Sequence, residues 1–208
     1  MRILLGTRNP GKVKEIRSIL EDSDWSFSSL LEFPNVETAA ENGDTFAENA
    51  ILKARFYARA TGLMALADDS GLEVEALAGA PGVFSARYAG EHASDANRCE
   101  LLLSELAKTG DEERRARFVS VVAIAGADGA VLNVSEGTCE GTITFAPRGH
   151  SGFGYDPLFV PDGFTETFAE LPDAVKNRIS HRARALVKTK AFLRSCKSIE
   201  LDQFAHGS

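Results

Sequence analysis

The sequence predicts a mixed α/β fold whose sheet includes a long antiparallel hairpin, and three observations predict it. The chain opens with a short apolar run, a glycine turn and an amphipathic helical pattern, the order of an α/β protein. Residues 117–125 and 130–138 are apolar stretches joined through Gly126-Ala127-Asp128-Gly129, the clearest hairpin signal in the chain. A composition 44% hydrophobic and 25% charged over 208 residues is that of a globular protein able to bury one large core.

Residues 2–6 read as a buried strand. Pro10 stands where helices start, and Val13, Ile16, Ile19 and Leu20 follow at helical spacing. Thr45-Phe46-Ala47-Glu48 reads as a capping box, and Phe46, Ala50, Lys53, Tyr57 and Ala60 continue that helix until Gly62 ends it. Lys53 falls on or beside its inner face. Residues 63–67 form an apolar run that stops at Asp68-Asp69-Ser70-Gly71, which puts two carboxylates at the C-terminal end of a strand. Gly79-Ala80-Pro81-Gly82 reads as a turn, and Leu101, Leu102 and Leu106 mark a helix over 94–108 closed by Gly110. Beyond the hairpin, residues 147–154 form a glycine-rich loop that leads to Tyr155-Asp156-Pro157 and the apolar Leu158-Phe159-Val160. Ser180 is a good N-cap for a last helix carrying Ala185, Leu186, Thr189, Phe192 and Leu193. With no repeat or linker, residues 1–200 are expected to form one domain and 201–208 a short tail, fraying from 204.

The net charge of -7 argues against a general nucleic-acid or membrane-surface binder. No run approaches a membrane span, and no signal peptide precedes Ile3, so the mature protein is expected to start where the sequence starts. Cys99, Cys139 and Cys196 are widely spaced without a C-x-x-C, which fits a reducing cytoplasm and neither a zinc cluster nor a disulfide framework. None of the four histidines stands at helical ligand spacing from another, so any metal is expected to be a hard cation on carboxylates. The charge is uneven. Residues 21–50 hold eight acids and no Lys or Arg, whereas residues 172–198 hold eight bases and one acid. Such a basic run is a solvated helix face or part of a site.

Four clusters carry possible chemistry. Gly6-Thr7-Arg8-Asn9-Pro10-Gly11-Lys12-Val13 matches the phosphate-loop pattern except at Val13, which cannot ligate Mg2+. The segment is a phosphate cradle at a helix N-terminus or a plain capped turn. Asp68 and Asp69 repel one another unless a cation or hydrogen bonds compensate; they hold Mg2+ or form a solvated acidic turn, and in extended backbone they point to opposite sides. Phe153, flanked by Gly152 and Gly154, is a stacking surface for a flat heterocycle or a core plug, and Asp156 accepts N–H groups beside it. Lys176 with His181 and Arg182 brings cations to a helix N-terminus, against the helix dipole, where arginine donors match a purine carbonyl and N7.

These clusters, in order, resemble the inosine triphosphate pyrophosphatase family over nearly the whole chain. The segments are Thr7-x-Asn9-x-x-Lys12, Thr45-Phe46-x-Glu48-Asn49-Ala50-x-x-Lys53-Ala54, Ala67-Asp68-Asp69-Ser70-Gly71-Leu72, Ala80-Pro81-Gly82-x-x-Ser85-Ala86-Arg87-Tyr88, Gly152-Phe153-Gly154-Tyr155-Asp156-Pro157 and Ser180-His181-Arg182. The resemblance implies an elongated twisted sheet with flanking helices and two lobes around a central cleft. It also implies hydrolysis of ITP, dITP and XTP to the monophosphate and pyrophosphate, which cleanses the nucleotide pool. Thr7, Arg8, Asn9, Pro10, Gly11, Lys12 and Lys53 would hold the phosphates, and Ser70 would touch substrate. Asp69 would prepare the attacking water close to Mg2+. Phe153, Gly154, Tyr155 and Asp156 would bind the base, while Lys176, His181 and Arg182 read its 6-oxo edge. A further family acid assists the metal. Here Ala40 stands where many members have one, which passes that role to Glu41, with Asp68 a third candidate ligand. A homodimer acting on a small nucleoside triphosphate, without nucleic acid or membrane, completes the expectation. The rival readings are a P-loop-like NTPase or nucleotide kinase, and a non-catalytic nucleotide-sensing module.

Overall fold

The computed structural model describes the backbone of residues 2–21, 25–110 and 112–205, and the side chains of those up to residue 196. In chain order it runs β1 (Arg2–Leu5), α1 (Pro10–Leu20), β2 (Ser26–Ser29), α2 (Phe46–Thr61), β3 (Met64–Val74), α3 (Asp95–Thr109), β4 (Arg115–Ala125), β5 (Val131–Ile143), β6 (Phe159–Pro161), α4 (Asp173–Ile179) and α5 (His181–Ala205), with short 3-10 turns between. Among the described residues six strands form one mixed sheet in the order β2-β1-β3-β4-β5-β6. The pairs β1–β2 and β1–β3 are parallel, and the rest are antiparallel.

Ile3, Leu4 and Leu5 are fully buried, as a strand covered on both faces requires. Leu4 packs with Phe46, Ala50, Ala54 and Tyr57 of α2. Ile3 and Leu5 pack with Ile16 and Leu20 of α1 and with Ala185, Leu186 and Leu193 of α5. A third apolar cluster, at the other end of the sheet, joins Leu72 and Phe118 to Cys99, Leu102 and Leu106 of α3 and to Phe159 and Phe168. The hairpin is longer than expected and spans β4 and β5 in full.

Several boundaries moved for physical reasons. The strand expected to stop at residue 67 runs on through both aspartates to Val74, because their charges are met by cations and β4 continues the ladder opposite them. The capping box is half made: Thr45 Oγ1 accepts from Glu48 N, but the Glu48 carboxylate accepts from Asp44 N instead of closing on Thr45. β2 and α4 had no sequence signal strong enough to mark them; β2 is four residues long and α4 seven. The tail expected from residue 201 begins as the end of α5, and residues 206–208 lie outside the described residues. No described helix is long and apolar enough to cross a membrane.

Candidate active site

β1 accompanies β3 only as far as Leu66, where Gly6 N donates to Leu66 O at 2.7 Å and the chain turns away. Asp68 and Asp69 therefore sit where the edge of β3 opens beside the loop of residues 6–12. Alternation along the strand sends the two carboxylates to opposite faces.

Asp69 faces α2. Lys53 Nζ, buried on the inner side of that helix, lies 2.6 Å from Asp69 Oδ1 and 3.1 Å from Glu41 Oε1. Glu41 belongs to a segment tied down on α2: Ala39 N donates to the Tyr57 hydroxyl and Gly43 N to Asn49 Oδ1. Burial raises the Asp69 carboxyl above the ordinary range, and the Lys53 charge only partly offsets it. Burial would lower Lys53, but Asp69 and Glu41 outweigh it and raise its pKa.

Asp68 faces α1 and α5. Its carboxylate meets Ser120 Oγ at 2.6 Å, Lys12 Nζ at 2.7 Å and Arg182 Nη2 at 3.2 Å. Burial alone would raise it, yet Arg182 and Lys12 hold it well below the usual carboxylate range. From there a buried line of alternating charges runs on: Arg182 pairs with Glu15, Glu15 Oε1 lies 2.8 Å from Lys176 Nζ, and Lys176 lies 2.5 Å from Asp156 Oδ2. The expectation that His181 and Arg182 place net positive charge against the helix dipole fails. His181 is buried and held uncharged by burial and by the Arg182 charge, and two carboxylates meet Arg182.

The residues of the 6–12 loop divide. Asn9 caps α1, its Oδ1 accepting from Lys12 N at 3.2 Å, with Pro10 in the first turn. Thr7 Oγ1 accepts from Asn9 N. Arg8 turns to the carbonyls of Leu30 and Val36, where it braces the segment after β2. Gly11 is required by packing: a Cβ there would lie 2.6 Å from the Phe153 ring.

Phe153 is half-buried, with the Lys176 ammonium 4.9 Å from its ring centroid, so it is a wall and no core plug. Asp156 Oδ2 accepts from Phe153 N at 2.8 Å, and burial raises its carboxyl although Lys176 opposes this. The Tyr155 hydroxyl donates to Ser85 O at 2.9 Å, which anchors the loop. The His181 ring stacks on Phe118, centroids 4.6 Å apart.

A cavity of about 110 Å³ gathers Asn9, Lys12, Ser70, Phe153, Gly154, Tyr155, Asp156, Lys176, His181 and Arg182 from the sequence-derived set. Thr7, Arg8, Pro10, Gly11, Glu41, Lys53, Asp68 and Asp69 are not among its walls. Asp95, Arg98 and Ser85, which sequence reasoning assigned no role, are among them. Glu15 was missed too. Its signal was there, an acid four residues before Ile19 on the apolar stripe of α1.

The profile of the Ham1 family matches residues 3–192. The dITP/XTP pyrophosphatase of Desulfotalea psychrophila is 52% identical over 91% of this chain and 83% of that protein. A HAM1 protein from Coxiella burnetii has a similar structure, with TM-score 0.85 and 44% identity over 94% of this chain and 99% of that one. The nucleoside-triphosphatase and dITP/XTP pyrophosphatase from Mycobacterium abscessus also superposes, with TM-score 0.72 and 46% identity over 91% of this chain and 98% of that one. With the family profile matched over residues 3–192 and relatives this similar over most of their length, the chain belongs to the Ham1 family.

Proposed function

We propose that the protein is a dITP/XTP pyrophosphatase, a hydrolase that converts ITP, dITP and XTP to the monophosphate and pyrophosphate and so clears them from the nucleotide pool. The observation that carries this reading is the joining of two unlike ends across the edge of β3. Phe153 with Lys176 and Arg182 forms a base-binding end, and Lys12, Lys53, Asp69 and Glu41 form a phosphate end. Lys176 and Arg182 offer only donors, which suit the 6-oxo group and N7 of inosine or xanthine and leave the adenine amine facing donors. The kinase and sensing-module readings are not favoured by the family match.

Mg2+ fits the α2 side of this site. Glu41 and Asp69 already converge on one cation, the Lys53 ammonium, and the same two carboxylates would hold a hard divalent ion. Asp68 is not proposed as a ligand, because its oxygens are taken by Ser120, Lys12 and Arg182. When bound, the ion neutralises phosphate charge. Asp69, its carboxyl raised by burial, accepts the proton of the attacking water. Lys12 and Lys53 stabilise the negative charge that grows on the leaving pyrophosphate. Asn9 and the first turn of α1 orient the phosphates at a helix N-terminus.

The substrate on this reading is a free nucleotide in the cytoplasm, a location in keeping with the buried free thiols Cys99 and Cys139. A homodimer is proposed as well, supported by the exposed Leu52 and Phe56 on α2 and checked by sedimentation. The functional reading is tested by Mg2+-dependent turnover of ITP, XTP, dGTP and ATP side by side. ITP and XTP are expected to exceed ATP by at least about 100-fold in kcat/KM; equal turnover of all four rejects it.

A further inference from the structure

The loop that carries Phe153 is poorly packed on one side. Between it and α3 lies a cavity of about 380 Å³, walled by Ala96 and Leu103 of the helix and by Pro147 and Pro157 of the loop. Apolar contact with α3 is interrupted on that side, although Tyr155 and Leu158 pack in one buried cluster with Cys99, Leu102 and Leu106. Two hydrogen bonds to a single residue tie the loop to α3 there. Asp95 Oδ2 accepts the Gly154 N–H at 2.7 Å, and the Cys99 thiol donates to the Gly154 carbonyl at 3.4 Å. Four residues apart, Asp95 and Cys99 share one helix face, so α3 grips the same residue through both its N–H and its C=O.

The grip is itself held in place. The other Asp95 oxygen pairs with Arg98, whose guanidinium also donates to the carbonyls of Ala86 at 3.0 Å and Ala93 at 2.6 Å. Burial pushes the Cys99 thiol up to about 11, which keeps it a protonated donor at neutral pH. Asp156 and Tyr155 anchor the other end of the loop, to Lys176 and Ser85. Asp95 holds the N–H of Gly154, the residue next to the ring, while Cys99 holds its C=O and Asp156 the Phe153 N–H.

We infer that Asp95 is a positioning residue for the nucleobase: by holding the Gly154 N–H, with Arg98 steadying its carboxylate, it sets where the Phe153 ring presents its face. The inference rests on the reading of residues 153–156 as the base-binding loop. Stacking does not distinguish one purine edge from another. Asp95 thus governs affinity for purine nucleotides in common, whereas Lys176 and Arg182 govern the choice among them.

The test compares Asp95→Ala, Asp95→Ser, Asp95→Asn and Phe153→Ala in steady-state turnover of ITP and ATP, with thermal unfolding measured alongside. Serine suits a first helical turn but is too short to reach Gly154, so it stands in if the alanine variant does not fold. Loss of the acceptor is expected to raise KM for ITP about tenfold, the scale of one charge-assisted hydrogen bond. With it, kcat stays within about twofold and the ITP/ATP ratio of kcat/KM within about threefold. Asp95→Asn keeps an acceptor oxygen and is expected to return KM to within about threefold of wild type. An unchanged KM in both the Ala and Ser variants, while Phe153→Ala raises it, overturns the inference. So does an Asn variant as impaired as Ala, or a shift confined to kcat. An unchanged KM in Phe153→Ala instead removes the base-binding reading on which the inference stands.

Discussion

Asp68 and Asp69 are adjacent in sequence, yet their carboxylates lie on opposite faces of one strand, the first held by Arg182 and Lys12 and the second by Lys53. Their substitutions are therefore expected to fail differently. Asp69→Asn removes the proposed proton acceptor and should lower kcat by about 100-fold or more while the protein stays folded. Asp68→Asn leaves the buried Arg182 and the half-buried Lys12 with a lost partner and should cost about 3–5 kcal/mol of stability. Urea unfolding beside a turnover assay separates the two; the reverse pattern contradicts the assignment.

Glu15 ties Lys176 and Arg182 together, and these pairs predict a pH effect. Burial raises its carboxyl, but Arg182 and Lys176 outweigh that and hold it below the ordinary value of 4.5. The folded carboxyl thus binds a proton less readily than the unfolded one. Its contribution to stability is complete above about pH 4.5 and is lost as pH falls through the lower folded value. Glu15→Gln should be less stable at pH 7 by about 3–5 kcal/mol and should show a shallower loss of stability below pH 4.5 than wild type. Unfolding curves between neutral and acid pH measure both; identical slopes would contradict a stabilising role for the Glu15 carboxylate.

Arg182 holds Asp68, Ser70 and Glu15 through its planar fork of donors. Arg182→Lys keeps the charge and loses the fork, so it is expected to reduce the kcat/KM preference for ITP over ATP by about tenfold or more. A ratio equal to that of wild type places base reading elsewhere.

Gly11 gives a steric test. A Cβ at this position would lie 2.6 Å from the Phe153 ring. Gly11→Ala must therefore displace the ring or the start of α1, with an expected rise in KM for ITP of about tenfold and a stability cost of about 1–3 kcal/mol. Wild-type KM in this variant would separate Phe153 from substrate binding.

What could be read in the sequence divides along physical lines. Helices with periodic apolar faces and strong caps, such as α2 with Thr45 and Gly62, were legible because local chemistry decides them. The extension of β3 through Asp68 and Asp69 was not, because it depends on Lys12, Lys53 and Arg182, which reach those carboxylates from distant parts of the chain. The site motifs named most of the cavity walls. They also drew in Arg8, whose guanidinium braces a neighbouring segment, and passed over Glu15, an acid beside the apolar stripe of α1, and Asp95, whose bond to Gly154 forms only when α3 packs beside the loop. The opposite orientation of the two aspartates followed from the period of a strand alone.

Separation of the products of ITP turnover decides whether this site releases pyrophosphate from a 6-oxopurine triphosphate. Inosine monophosphate and pyrophosphate in equal amounts, formed only with Mg2+ present and lost in Asp69→Asn, is the predicted result. Inosine diphosphate with orthophosphate, or turnover undiminished in Asp69→Asn, would contradict it.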